Sequence, residues 1–95
     1  MIPFIIQSIE NEHDRQFAIS MYENYILLIY SEVLKVEKDP SVVEDIVQET
    51  ITRLLPRIDL LSTLSQSNLT NYIISTAKNT AYYFVRLTIK SQAPN

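Results

Sequence analysis

Apolar residues recur at intervals of three and four along most of this chain, which is the spacing of one face of an α-helix. The clearest case is residues 43–55, where apolar and polar positions separate onto opposite faces. The apolar positions are Val43, Ile46, Val47, Thr50, Ile51, Leu54 and Leu55. The polar positions are Asp45, Gln48, Glu49 and Thr52. The pattern predicts a helix that buries the first set and displays the second.

Two other segments show the same spacing, so the chain as a whole predicts an all-α fold, a small bundle of three principal helices. The first segment runs from about residue 13 to 37, and its apolar positions are Phe17, Met21, Tyr25, Leu28, Ile29, Val33 and Val36, widened by Tyr22, Ile26 and Leu34. The last runs from about residue 68 to 90, and its apolar positions are Leu69, Ile73, Ala77, Ala81, Phe84 and Leu87. No segment alternates as a strand would.

Proline and polar residues mark the start and the end of the middle helix. Asp39 and Pro40 offer an N-cap followed by proline at the first helical position. Ser41 and Glu44 offer a capping box at nearly the same place, so either pair could begin the helix. Pro56 is expected to end or kink it.

The chain length predicts a single domain over residues 1–95, with its core at about 12–90 and a frayed tail at 91–95. Residues 2–9 are apolar but far short of the about 20 that span a bilayer, so we expect a helical turn packed on the bundle and no membrane role. After the middle helix we expect a short helical continuation and then a serine-rich loop at about 60–68.

Composition argues against enzyme chemistry. The chain has no cysteine, no glycine and one histidine, so nucleophilic triads and glycine-rich phosphate loops have almost nothing to be built from. We therefore predict that the chain is not an enzyme and that it holds neither a cofactor nor a metal ion. A chain without cysteine also suits a reducing cytoplasm, which is the predicted location.

Charge is divided between the two halves of the chain. Residues 1–50 hold ten acidic and three basic side chains, whereas residues 51–95 hold one acidic and five basic ones. This division favours two different partners, one basic and one anionic, although small domains also show uneven charge by chance.

The last helix carries the candidate nucleic-acid contact. Lys78, Tyr82, Arg86 and Lys90 recur every four residues and form one ridge, with Asn79 beside them. Cations attract phosphate, tyrosine can stack on a base, and a carboxamide can pair with adenine. The alternative is an ordinary solvated helix face. Carboxylates near the start of the middle helix instead favour a basic protein surface.

The two motifs VVEDIVQETITRLL and LTNYIISTAKNTAYYFVR resemble region 2 of bacterial RNA polymerase sigma factors of the sigma-70 family. The resemblance covers about residues 14–90 and is nearest to the extracytoplasmic-function group, whose pattern is A-E-D-x-x-Q-E-x-F followed after a loop by F-x-x-W-L-x-x-I-A-x-N. It implies a transcription initiation domain that docks on core RNA polymerase, at the clamp helices of the largest subunit, and recognises and melts the promoter −10 element.

The resemblance also implies roles for individual residues. Polymerase docking falls to Asp45, Gln48 and Glu49, with Glu44 and Arg53 as neighbours. Asn79 matches the asparagine associated with −10 base contact. Lys78 precedes it as a backbone contact, and the loop that would hold a flipped base of the non-template strand contains Ser62, Ser65 and Ser67. The other DNA-binding candidates on the last helix follow from position rather than from the motif, and they are Asn71, Tyr82, Tyr83 and Arg86.

Some positions depart from the pattern. Tyr72 and Leu69 replace the usual tryptophan and phenylalanine, and Ser75 supplies no aromatic wedge, which predicts modest melting. No helical domain for the −35 element follows residue 90 in this sequence, so either this is an excised domain or the protein works without that region. These departures favour the alternative, a degenerate sigma-like module that binds polymerase or an anti-sigma factor without specific DNA recognition.

Overall fold

Helices form almost the whole chain. The computed structural model describes the backbone of residues 1–92 and the side chains of residues 1–89. Its α-helices are α1 (Phe4–Gln7), α2 (Glu12–Leu34), α3 (Pro40–Leu54), α4 (Ile58–Leu61) and α5 (Gln66–Gln92), with a 3₁₀ turn at Leu55–Arg57. Since the described residues form no strand, the predicted all-α fold is confirmed.

The three long helices α2, α3 and α5 each pack on the other two, and their buried faces form the core. The apolar face predicted for α3 is confirmed, because Leu55 is half-buried and the other six positions are buried. Two threonines lie in the core with their hydroxyls satisfied. Thr50 Oγ1 donates to the Ile46 carbonyl at 2.8 Å, and Thr80 Oγ1 donates to that of Thr76 at 2.7 Å. Bonds of this kind permit polar residues in an apolar interior.

Two residues predicted for the core are exposed instead. Leu34 is 42% exposed and Leu87 is 45% exposed. Leu34 lies two turns after the exposed Leu27, so it lies on the solvent-facing side of α2 and not on the buried side. Leu87 lies beyond Ala81, the last buried residue among the described side chains of α5.

Asp39 begins α3. Its Oδ1 accepts hydrogen bonds from the Ser41 backbone N–H at 3.0 Å and from Ser41 Oγ at 2.9 Å, and Pro40 occupies the first helical position. These bonds hold the pKa of Asp39 below its ordinary value, the side-chain bond most strongly. The capping-box alternative is wrong, because the Ser41 hydroxyl donates to Asp39 and the Glu44 carboxylate accepts a hydrogen bond from a tyrosine of α2. Pro56 lies in the 3₁₀ turn, so α3 ends as predicted.

The connection before α5 is shorter than predicted. Only residues 62–65 separate α4 from α5, and Ser67 therefore lies in the first turn of α5 rather than in a loop. Ser65 caps α5, since its Oγ accepts from the Asn68 N–H at 3.2 Å. At the far end α5 includes residues 91 and 92, and the rest of the tail predicted to fray lies outside the described residues.

The helical turn predicted near the N-terminus is confirmed as α1. It packs on α2, and Ile6 is fully buried. Among the described residues none has a positive φ and none precedes a cis peptide bond, so the short connections are built without the conformations that favour glycine.

Candidate functional site

The outer side of α3 displays the polar residues that the sequence singled out. We call Glu44, Asp45, Gln48 and Glu49 the acidic face. Glu44, Asp45 and Gln48 are exposed and Glu49 is half-exposed. In the described part of the chain, the Asp45 carboxylate takes part in no hydrogen bond or ion pair. Asp45 and Gln48 thus stand in the middle of the face with their polar atoms available.

One edge of the acidic face is fixed by α2. The Tyr30 hydroxyl donates to Glu44 Oε2 at 2.6 Å, which orients the carboxylate and leaves its other oxygen for a partner. This hydrogen bond, together with burial and the nearby negative charge, raises the pKa of Tyr30 to about 12. Sequence reasoning missed Tyr30, because a single sequence carries no signal for which tyrosine of α2 lies opposite α3.

The other edge is fixed by Arg53, which leans toward α5. Arg53 Nε lies 3.1 Å from Glu49 Oε2, and its Nη1 donates to Thr80 Oγ1 at 3.3 Å. Its guanidinium carbon also lies 5.2 Å from the centroid of the Tyr83 ring. Arg53 was predicted as a polymerase contact. The structure shows that it joins the acidic face to the next helix.

A second polar surface runs along the outer side of α5. We call Asn71, Ser75, Lys78, Asn79, Tyr82, Tyr83 and Arg86 the α5 face, and each of these side chains is exposed. At about 100° per residue they occupy well under half of the helix circumference. Tyr82, near the middle, is 50% exposed, so its ring is open to stacking. The side chain of Lys90, predicted to extend this surface, lies outside the described residues.

Lys78 borders α2, where it meets a buried acid. Its Nζ lies 3.8 Å from Glu32 Oε1, while Lys35 Nζ donates to Glu32 Oε2 at 2.8 Å. The Glu32 side chain is only 7% exposed. Its pKa is lowered, first by the hydrogen bond from Lys35 and then by the charges of both lysines, against the cost of burial. Sequence reasoning missed Glu32, although its spacing from Leu28 and Ile29 would have placed it on the buried face.

An open groove of about 580 Å³ lies between α2 and the start of α5. Aromatic rings and amides share its lining, which includes Phe17, Asn24, Tyr25, Leu64, Gln66 and Thr70. Tyr25 and Thr70 are hydrogen-bonded across it at 2.9 Å. The predicted loop serines Ser62, Ser65 and Ser67 do not line the groove. Its polar lining includes Asn24, Gln66 and Thr70, which the sequence analysis did not single out.

The described residues hold no group of histidine, cysteine or acidic side chains arranged to bind a metal ion. Within the same residues no helix is long and apolar enough to cross a membrane.

These observations first define a class, a helical module with an acidic face on one helix and a polar, aromatic and basic face on the next. The chain belongs to the sigma-70 region 2 family, because the family model described as sigma-70 region 2 matches residues 21–88, which include both faces. Comparison with curated proteins and with solved structures gives no match. Sigma-70 region 2 takes part in polymerase binding and promoter melting, and its members are transcription initiation factors rather than enzymes.

Proposed function

We propose that this domain docks through its acidic face on the clamp helices of the RNA polymerase largest subunit and holds the non-template strand of the promoter −10 element on its α5 face. The observation that carries the proposal is that two adjacent helices expose motif residues of different chemistry, acidic on α3 and basic, polar and aromatic on α5. The motif further favours an extracytoplasmic-function type of sigma factor, and a chain without cysteine suits action in the cytoplasm.

Docking would use charge and hydrogen bonding. Asp45 and Gln48 can meet basic and polar groups of a partner helix directly. Tyr30 and Arg53 keep Glu44 and Glu49 in fixed positions, so less side-chain freedom is lost on binding.

DNA recognition would use the α5 face and the neighbouring groove. Asn79 presents a carboxamide to base edges, Tyr82 offers a ring for stacking, and Arg86 attracts phosphate. The groove beside residues 62–65 offers rings and amides to a base turned out of the duplex. A site that binds the single strand more tightly than the duplex shifts the equilibrium toward melting, with no bond made or broken.

The test compares charge reversal on and off the acidic face. Asp45→Lys should weaken binding to a clamp-helix fragment of the largest subunit by roughly tenfold or more at low salt, because like charges then oppose each other. Asp59→Lys makes the same change on α4, which packs against α2, and should leave the affinity unchanged. Equal affinity of Asp45→Lys and the wild type would contradict the docking assignment.

The same preparations separate the two candidate functions. With core polymerase present, the leading proposal expects salt-dependent binding to single-stranded −10 oligonucleotides, and Asn79→Ala should alter the preference among them. A module that binds only polymerase or an anti-sigma factor would show no such DNA binding. That result, with docking intact, would replace the leading proposal by the alternative.

A further inference from the structure

A second open groove, of about 550 Å³, lies between α1 and the acidic face. One wall is apolar and comes from α1, and the other is polar and comes from α3. Its lining includes Phe4, Ile5, Tyr22, Glu44, Gln48 and Thr52. The acidic face therefore continues into an apolar surface that the motif does not include, since the family match begins at residue 21.

The apolar wall is held in place while its side chains stay open. Ile6 is fully buried against the bundle and anchors α1, whereas Phe4 is 83% exposed and Ile5 is 42% exposed. The Ile6 backbone N–H donates to the Pro3 carbonyl at 3.1 Å, and Gln7 Nε2 donates to the Ile2 carbonyl at 2.7 Å. Because the backbone of α1 is already held in place, an exposed phenylalanine there can contribute apolar contact without the cost of ordering its backbone.

We propose that α1 is the apolar wall of the docking groove, and that the partner is a helix with an apolar side chain facing Phe4 and basic side chains facing Glu44. This inference rests on the proposed docking function and adds the apolar half of the partner's chemistry. A helix of that kind matches both walls at once, as in other helix-in-groove complexes.

Charge selects this occupant over two others. An anionic membrane surface would be repelled by the carboxylates next to Phe4. A second copy of this chain meeting the groove through the same surface would bring two acidic faces together. A basic amphipathic helix would be repelled in neither way, and it is the same kind of partner that the acidic face requires.

The experiment measures the affinity of Phe4→Ala for the clamp-helix fragment by calorimetry. We expect Kd to rise about tenfold, in the range of apolar anchors at interfaces. The dependence of Kd on salt should stay that of the wild type, and the heat-capacity change of binding should become less negative, because apolar burial is lost and charge is not. Phe4→Leu should restore most of the affinity.

Leu27→Ala is the matched control. Leu27 is 81% exposed, close to the value for Phe4, and it lies five residues after Tyr22, about 140° further round α2. We expect this variant to bind as the wild type does. Because both positions are exposed, neither alanine variant should change the midpoint of thermal unfolding.

Failure of this inference is distinct from failure of the proposed function. If the wild type binds and Asp45→Lys weakens binding, but Phe4→Ala has the affinity of the wild type, α1 is not part of the interface. If the wild type does not bind the fragment, the docking function fails as a whole. Equal losses in Phe4→Ala and Leu27→Ala would also overturn the assignment, since the effect would not depend on the groove.

Discussion

The acidic face and the α5 face have the same arrangement of side chains, but one is acidic and the other is basic, polar and aromatic. Each has edges fixed by contacts to a neighbouring helix and a middle whose polar groups face solvent. On α3 the edges are Glu44, held by Tyr30, and Glu49, held by Arg53. On α5 the edges are Lys78, which lies next to Glu32, and Tyr83, which lies under Arg53.

The difference lies in where charge remains available. The middle of the acidic face keeps a carboxylate, whereas one of the two described cations of the α5 face, Lys78, already has an acidic neighbour. Arg86 has no ion pair within the residues described. The α5 face should therefore depend more on stacking and hydrogen bonds than on charge. With about two phosphate contacts, the salt slope for a single strand would be only about −1.4.

Among the variants that test this difference between the two faces, Tyr82→Ala should show the largest effect, a loss of affinity for single-stranded DNA. If stacking dominates on the α5 face, loss of the half-exposed ring should weaken binding of single-stranded −10 DNA about 5-fold to 150-fold, from the about 1–3 kcal/mol typical per stacked base. Fluorescence anisotropy with labelled oligonucleotides in the presence of core polymerase measures this change.

Tyr82→Phe is the control, since it keeps the ring and removes the hydroxyl. We expect it to bind nearly as well as the wild type. If Tyr82→Phe loses as much affinity as Tyr82→Ala, the hydroxyl is responsible and stacking is not the dominant contact. Docking on the clamp-helix fragment should be unchanged in both variants.

Glu32→Gln tests the fixed edge of the α5 face and should have an intermediate effect. The lowered pKa of Glu32 means that the folded state favours its charged form, so this contribution to stability is present above the ordinary glutamate pKa and is lost as pH falls through the folded value. The variant should unfold a few degrees below the wild type at neutral pH, and the difference should shrink in acid.

Thermal unfolding followed by circular dichroism across a pH series measures the effect. Lys35→Gln is a useful companion, because it removes the hydrogen bond that lowers the Glu32 pKa most and leaves Lys78 in place. A difference between Glu32→Gln and the wild type that stays constant from neutral pH to acid would show that the carboxylate charge does not contribute.

Periodicity predicted the three long helices and the buried side of α3, because each buried position there follows from its neighbours at helical spacing. It also placed most residues of both faces on the polar sides of their helices, whereas Glu44 and Tyr83 were not among the positions that it singled out. Spacing alone places Glu32 and Thr80 on buried faces, but it could not predict which side chains of other helices lie beside them. Nor could it show that Arg53 turns from α3 toward α5, because contacts between residues 27 positions apart leave no mark in a single sequence.

The smallest expected effect is the loss of stability when the hydrogen bond at the α2 edge of the acidic face is removed. Tyr30 donates to Glu44, and its pKa is raised from 10.0 to about 12, so the folded state favours the neutral phenol. The resulting contribution to stability is fully present below pH 10.0, declines as the pH rises, and is lost above about pH 12. Removing the hydroxyl in Tyr30→Phe leaves Glu44 exposed to water, so the loss of stability at neutral pH should be about 0.5 kcal/mol.

Ultraviolet titration of tyrosinate measures this prediction directly. The wild type has six tyrosines, and Tyr30→Phe should remove a step at the alkaline end of the titration. Tyr82→Phe is the matched control, because it removes an exposed tyrosine on the α5 face and should leave the late step in place. If the late step persists in Tyr30→Phe, the hydrogen bond to Glu44 is not formed in solution. Without it, the two edges of the acidic face would differ, one held by Arg53 and the other free to move until a partner binds.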